Sequence, residues 1–116
     1  MAQVLIMDDD QVVREVIART VKMEGHDPLA YPDAGPALQE VDFDAIGLII
    51  TDLSMPTPGE EAIRIIRGRG IQIPILVISG HLSHPKSYYL EEMGVQSILG
   101  KPFLIHDLMD RIRTLI

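Results

Sequence analysis

Four short apolar runs punctuate the chain: Val4–Met7, Ile46–Thr51, Ile73–Ile78 and Val95–Leu99. The middle two read IGLIIT and IPILVI, almost uninterrupted and rich in isoleucine and valine. Such runs suit strands buried on both faces, as in a parallel sheet, better than strands with one wet face. A weaker run, His26–Tyr31, contains Pro28. A residue without an N–H breaks a ladder, so this segment is predicted to be an edge strand.

Helical periodicity fills the intervals. Between Gln11 and Glu24 the apolar residues are Val13, Val16, Ile17, Val21 and Met23, a mostly one-sided stripe that Gly25 ends. Ala34–Glu40 presents Ala34, Ala37 and Leu38, with Val41 beyond, and tolerates Pro36 in its first turn. Glu60–Arg69 turns Ala62, Ile63, Ile65 and Ile66 inward and leaves Arg64, Arg67 and Arg69 outward. A fourth helix over Pro85–Met93 starts at a proline and stops at Gly94; the last, Leu104–Ile116, repeats Leu104, Ile105, Leu108, Ile112 and Leu115. Strand and helix thus alternate five times, with crossovers long enough for right-handed parallel βαβ units. The alternation predicts an α/β fold, a three-layer sandwich, formed as one domain over residues 1–116.

Composition narrows the function. Seventeen acidic residues against ten basic ones give a net charge of −7 and a pI near 4.9, which argues against direct nucleic-acid binding through a basic face. With no cysteine there is no disulfide, thiolate metal site or cysteine nucleophile. Val4–Met7 is too short, and lacks the preceding basic residues, for a signal peptide. No apolar stretch approaches the ~18–20 residues of a membrane span. A small, acidic, soluble, cytoplasmic domain without membrane contact is expected.

Chemistry gathers where the strands end. Val4–Met7 runs into Asp8, Asp9 and Asp10; Ile46–Thr51 into Asp52; Ile73–Ile78 into Ser79 and Gly80; Val95–Leu99 into Gly100, Lys101 and Pro102. In an open parallel sheet all carboxyl ends lie along one edge, where ligands bind. Each residue has a plain reading by itself: acids at a helix N-terminus, a turn aspartate, a capping serine, a solvated lysine. Four strand ends with matching chemistry are harder to explain that way. Two carboxylates ~4 Å apart repel by ~4 kcal/mol at an effective dielectric near 20, so the acids call for a cation, a proton or a change of geometry. Oxygen ligands without histidine or thiolate favour Mg²⁺. Lys101 offers a second positive point and Ser79 a hydroxyl donor. Together they describe a phosphoryl site in which an aspartate is the nucleophile.

These residues resemble the receiver domain of two-component response regulators. VLIMDDD resembles its acidic pair, TDLSMP its phospho-acceptor segment, PILVISG its switch hydroxyl and GKPF its lysine and proline, over essentially the whole chain. The 22-residue step from Ser79 to Lys101 also matches. The resemblance implies a doubly wound (βα)5 fold with a parallel five-stranded sheet in order 2-1-3-4-5. It further implies that Asp52 accepts a phosphoryl group from a histidine kinase or histidine phosphotransfer protein. Mg²⁺ would be held by Asp8, Asp9, Asp52 and the Ser54 carbonyl, with Asp9 the direct ligand of the acidic pair. Ser79 and Lys101 would contact the phosphoryl oxygens, and Pro102 would follow through a cis peptide bond. Such a domain catalyses only its own phosphorylation and dephosphorylation.

Several positions depart from the family pattern. Ile98 stands where the family carries an aromatic switch residue, and isoleucine, stiff at χ1, offers no comparable swing. Only Thr57 and Pro58 separate Pro56 from Gly59, one residue fewer than usual. His81, two after Ser79, stands where the resemblance implies a residue that influences dephosphorylation. Tyr88 and Tyr89, about 100° apart on a helix, should leave one ring outward. With Ile98, Leu104 and Met109 they outline an output face, centred on His81–Met93, for an unknown downstream protein or a phosphorylation-dependent dimer. With no output domain expected within these 116 residues, the chain reads as a stand-alone receiver or as the receiver of a longer regulator or hybrid kinase. Two rival functions fit part of the pattern: a haloacid-dehalogenase-like phosphatase using Asp8 and Asp10, and a receiver-like module that binds partners without phosphorylation.

Overall fold

The structure is a computed structural model that describes residues 1–80 and 84–116, with the side chains of residues 84–87 outside the description. Strands and helices alternate as the apolar pattern predicts: β1 Gln3–Met7, α1 Gln11–Met23, β2 Asp27–Tyr31, α2 Ala34–Glu40, β3 Ile46–Thr51, α3 Gly59–Gly68, β4 Ile75–Ser79, α4 His84–Glu92, β5 Ser97–Gly100 and α5 Ile105–Leu115. All pairings are parallel, and the sheet order is β2-β1-β3-β4-β5.

The continuous apolar runs have a simple cause. Successive strand residues point to opposite faces, and both faces are covered. On one side Val4, Ile6, Leu48, Ile50, Leu76 and Ile78 pack against Ile17 and Val21 of α1 and Leu108 and Ile112 of α5. On the other, Leu5, Met7, Ile49, Ile75 and Val77 meet Ala37 of α2, Ile63 and Ile66 of α3 and Leu90 of α4. Each fully buried Leu or Ile contributes ~1.5–3 kcal/mol relative to exposure. β2 is the edge strand that Pro28 predicts, paired only with β1.

Boundaries shift where side chains or prolines replace ladder bonds. β4 starts at Ile75 rather than Ile73, because Pro74 has no N–H to donate and contributes only its carbonyl, which accepts from Ile49 N at 3.0 Å. β5 starts at Ser97 rather than Val95; the Gln96 side-chain oxygen accepts the Ile75 N–H at 2.8 Å. Leu104 lies outside α5 and is 68% exposed. A 3-10 turn at Phe43–Ala45, absent from the apolar pattern, leads into β3.

Arg67 is not the outward residue its helical position suggests. It is half-buried, and its guanidinium donates to the carbonyls of Ile71 (2.7 Å) and Gly94 (2.8 Å). Gly94 has φ +88°, and a Cβ there would lie 3.1 Å from Arg67 Nε. Both Tyr88 and Tyr89 are exposed, where the helical spacing predicts one outward ring; the Tyr89 hydroxyl accepts from Arg64 Nη2 at 2.8 Å. No helix among the described residues is long and apolar enough to cross a membrane.

Candidate functional site

Because all five strands run the same way, the ends of β1, β3, β4 and β5 bring their polar residues to one edge. The order β2-β1-β3 places the topological switch point between β1 and β3. Asp8 and Asp52 follow these two strands. The Asp52 N–H donates to Met7 O at 2.9 Å and the Asp8 N–H to Tyr31 O at 3.1 Å, so both aspartates extend the sheet ladder.

Asp8 is fully buried, Asp52 is 5% exposed and Asp9 is exposed. Each offers a carboxylate oxygen within 4.8 Å of the others. The predicted repulsion is met here by a cation of the chain itself. Lys101 Nζ lies 3.0 Å from Asp8 Oδ2 and 3.3 Å from Asp52 Oδ2. Burial pushes the Asp8 carboxyl above its ordinary value, and the Asp52 charge adds to this; the Asp10 amide and Lys101 only partly oppose them. Burial works against the Lys101 ammonium, yet its hydrogen bonds and attraction to the two carboxylates raise it above the ordinary lysine value.

The surrounding backbone holds these groups in place. Asp52 Oδ1 accepts the Leu53 N–H at 2.7 Å, and the Thr51 hydroxyl donates to the Asp52 carbonyl at 2.8 Å. The Lys101 N–H donates to Ser79 O at 2.9 Å, which puts Ser79, 2% exposed, beside the lysine. The Lys101–Pro102 peptide is cis. Ser54 is exposed in the loop after β3. Asp10 serves the helix instead, since its Oδ1 accepts from Val12 N (2.9 Å) and Val13 N (3.3 Å) and caps α1. His81 lies outside the described residues. Of the predicted output face, Leu104, Tyr88 and Tyr89 are exposed, whereas Met109 and Ile98 are half-buried, Ile98 against the core.

Other residues of the site are invisible to sequence patterning. Arg14 donates to the Asp8 carbonyl at 2.8 Å and braces the loop carrying the acidic pair. Gly59 packs so closely that a Cβ there would lie 2.3 Å from Asp52 O, a clash that only glycine avoids. An open cleft of about 430 Å³, lined by Val12, Val13, Val16, Pro102 and Phe103, adjoins Lys101. The glycine after a proline-rich loop is the one signal the sequence offers. The arginine and the cleft depend on approaches between separate elements.

Residues 4–113 match the family of response regulator receiver domains. The chain belongs to that family. As a receiver domain it is part of the two-component signalling repertoire, in which such domains are phospho-acceptors rather than classical enzymes. It is 31% identical over 115 residues to the response regulator MprA of Mycobacterium tuberculosis, covering 98% of this chain and 50% of that protein. It is 30% identical over 112 residues to the response regulator FleR of Pseudomonas aeruginosa, covering 96% of this chain and 24% of that protein. The receiver therefore spans half or less of these curated relatives. Among solved structures, it superposes on the chemotaxis protein CheY4 of Vibrio cholerae with a TM-score of 0.91 at 26% identity, over 100% of this chain and 99% of that one. A response regulator receiver protein of Pseudomonas putida gives 0.87 at 31% identity, over 97% and 96%. Receiver domains bind Mg²⁺ at an aspartate cluster, and the all-oxygen set of Asp8, Asp9 and Asp52 fits a hard divalent cation.

Proposed function

We propose that this receiver domain takes a phosphoryl group onto Asp52 from a histidine kinase or histidine phosphotransfer protein. The observation that carries the reading is the buried Asp52 carboxylate, grouped with Asp8 and Asp9 and 3.3 Å from Lys101 Nζ. An Asp52 oxygen attacks the phosphorus, the P–N bond breaks, and its electron pair leaves with the donor imidazole. The product is an acyl phosphate on Asp52. Asp8, Asp9, Asp52 and the Ser54 carbonyl would hold Mg²⁺, which neutralises charge on the phosphoryl oxygens. Lys101, already paired with Asp52, follows the added oxygens, and Ser79 donates its hydroxyl to them. Catalysis is then mainly a matter of positioning.

The apolar cleft of Val12, Val16 and Phe103 is also lined by Lys101, whose Nζ lies 3.3 Å from Asp52, and is the surface we assign to docking of the donor. The domain spans residues 1–116 and works in the cytoplasm. Output leaves through Tyr88, Tyr89, Leu104 and Met109 to a downstream protein or a phosphorylation-dependent dimer. Ile98 shifts less than an aromatic would, and His81 tunes the phosphoryl lifetime. No observation favours the phosphatase, because Asp10 is committed to capping α1, and none favours the phosphorylation-independent binding module. Intact-mass spectrometry with acetyl phosphate and Mg²⁺ tests the reading. Wild type should gain one phosphoryl group and Asp52→Asn none; equal labelling of both would overturn the assignment.

A further inference from the structure

The loop after β3 is held from a distant part of the chain. Asp33 sits two residues past the end of β2, and its carboxylate reaches across to Thr57. Its Oδ1 accepts the Thr57 N–H at 2.7 Å, and its Oδ2 accepts the Thr57 hydroxyl at 2.8 Å. The same Oδ2 accepts the Gly35 N–H at 3.0 Å, capping α2. One carboxylate therefore serves two purposes. The Gly35 bond is local and would exist in any capped helix. The Thr57 bonds join residues 24 positions apart and fasten the loop that carries Ser54 to the edge of the sheet.

The other end of the loop is equally constrained. The Gly59 N–H donates to Leu53 O at 3.0 Å, and Gly59 packs against the Asp52 backbone. Residues 54–56 thus span two anchors, one at Leu53–Gly59 and one at Thr57–Asp33. A charged acceptor taking several donors makes a strong tie. Burial opposes the charge on Asp33, but the Thr57 and Gly35 donors outweigh it and hold the carboxyl below its usual range. Loops without such ties sample many conformations, and each lost conformation is a cost at the moment of metal binding.

We infer that the Asp33–Thr57 clasp is a positioning device that presets the loop after Asp52 for Mg²⁺. The inference rests on the metal reading of the site, and neither residue is among the ligands proposed for the ion. Partners that orient metal ligands typically alter affinity by ~10–100-fold when removed.

The test uses the full chain, with Mg²⁺ affinity measured by calorimetry and amide hydrogen exchange of residues 53–57 measured without metal. Thr57→Val removes the hydroxyl donor while leaving the Gly35 bond that caps α2. It should weaken Mg²⁺ binding about fivefold and speed exchange in the loop, and Thr57→Ser should restore both. Asp33→Ala should weaken binding by ~10-fold or more. Thr57→Val with faster loop exchange but wild-type Mg²⁺ affinity would overturn the inference and leave the clasp a structural brace. A wild type that takes up no Mg²⁺ would overturn the metal reading and this inference together.

Discussion

Two cations tie the molecule together at opposite ends of the sheet, and they do so in opposite ways. Lys101, at the carboxyl edge, lies between Asp8 and Asp52. Arg67, at the far edge, donates to neutral oxygens: the carbonyls of Ile71 and Gly94, and Gln96 Oε1 at 3.2 Å. Burial lowers the Arg67 pKa, whereas the carboxylates lift that of Lys101 despite burial. The difference separates a joint from a site. Arg67 satisfies fixed backbone groups with a rigid planar fork, and nothing in that arrangement invites replacement. Lys101 balances like charges that remain crowded around it, so a second cation or a phosphoryl group can rearrange the balance.

The largest effect should appear at the crowded end. Asp9→Ala should leave the fold intact and abolish Mg²⁺-dependent phosphorylation at millimolar metal, because the proposed metal site would lose a charged ligand. Intact mass after acetyl phosphate treatment reads this directly, and unchanged labelling would remove Asp9 from the site.

Arg67→Met probes the other end. Its carbonyl acceptors would lose their donor, at a cost of about 2 kcal/mol in urea unfolding. Mg²⁺ affinity should stay within about twofold, since the two clusters share no partners. A large loss of affinity would mean that the two ends are coupled and that joint and site are not separate.

Asp8→Asn should do the reverse of Arg67→Met: stabilise the metal-free protein at pH 7 by on the order of 1 kcal/mol and weaken Mg²⁺ binding. Burial raises the Asp8 carboxyl, so the fold holds its proton more tightly than the unfolded chain does. Its contribution is greatest below the ordinary value of 3.8 and is lost as pH rises through the raised folded value. The advantage of the asparagine variant should therefore shrink as the pH is lowered towards 3.8. Urea midpoints across that range decide it; an advantage that grows in acid would contradict the assigned direction.

The smallest effect belongs to an ion pair with one partner in solvent: the Arg113 side chain is 56% exposed, that of Glu24 8%. Arg113 of α5 donates to Glu24 beyond the end of α1, and this attraction raises its pKa. The guanidinium is open to solvent and screened by salt, so Arg113→Gln should shift the urea midpoint only slightly at about 0.5 M salt. A clear shift would show that joints of the Arg67 kind extend to the surface.

The apolar pattern alone carried the order of the elements and the doubly covered sheet. IGLIIT and IPILVI read as buried parallel strands because both faces are packed, and the end of β1 met Asp8 as the run of Val4–Met7 indicated. Element edges were less legible at Pro74 and Gln96, where a missing N–H and a side-chain oxygen alter the ladder.

Sequence by itself determined that Asp8, Asp52, Ser79 and Lys101 share one edge, since each follows a strand and parallel strands end together. It also determined a charge conflict there, because the acids at those strand ends outnumber the single lysine. Tertiary structure decided how the conflict is resolved: one ammonium bridges Asp8 and Asp52 across 93 and 49 positions. It likewise decided that Arg67 turns inward, that Arg14 braces Asp8 and that Asp33 clasps Thr57. Hydrophobic periodicity reports only which face of an element is buried. These contacts depend on the distance and angle between elements, set when the two cores close, and no local pattern in the chain encodes them.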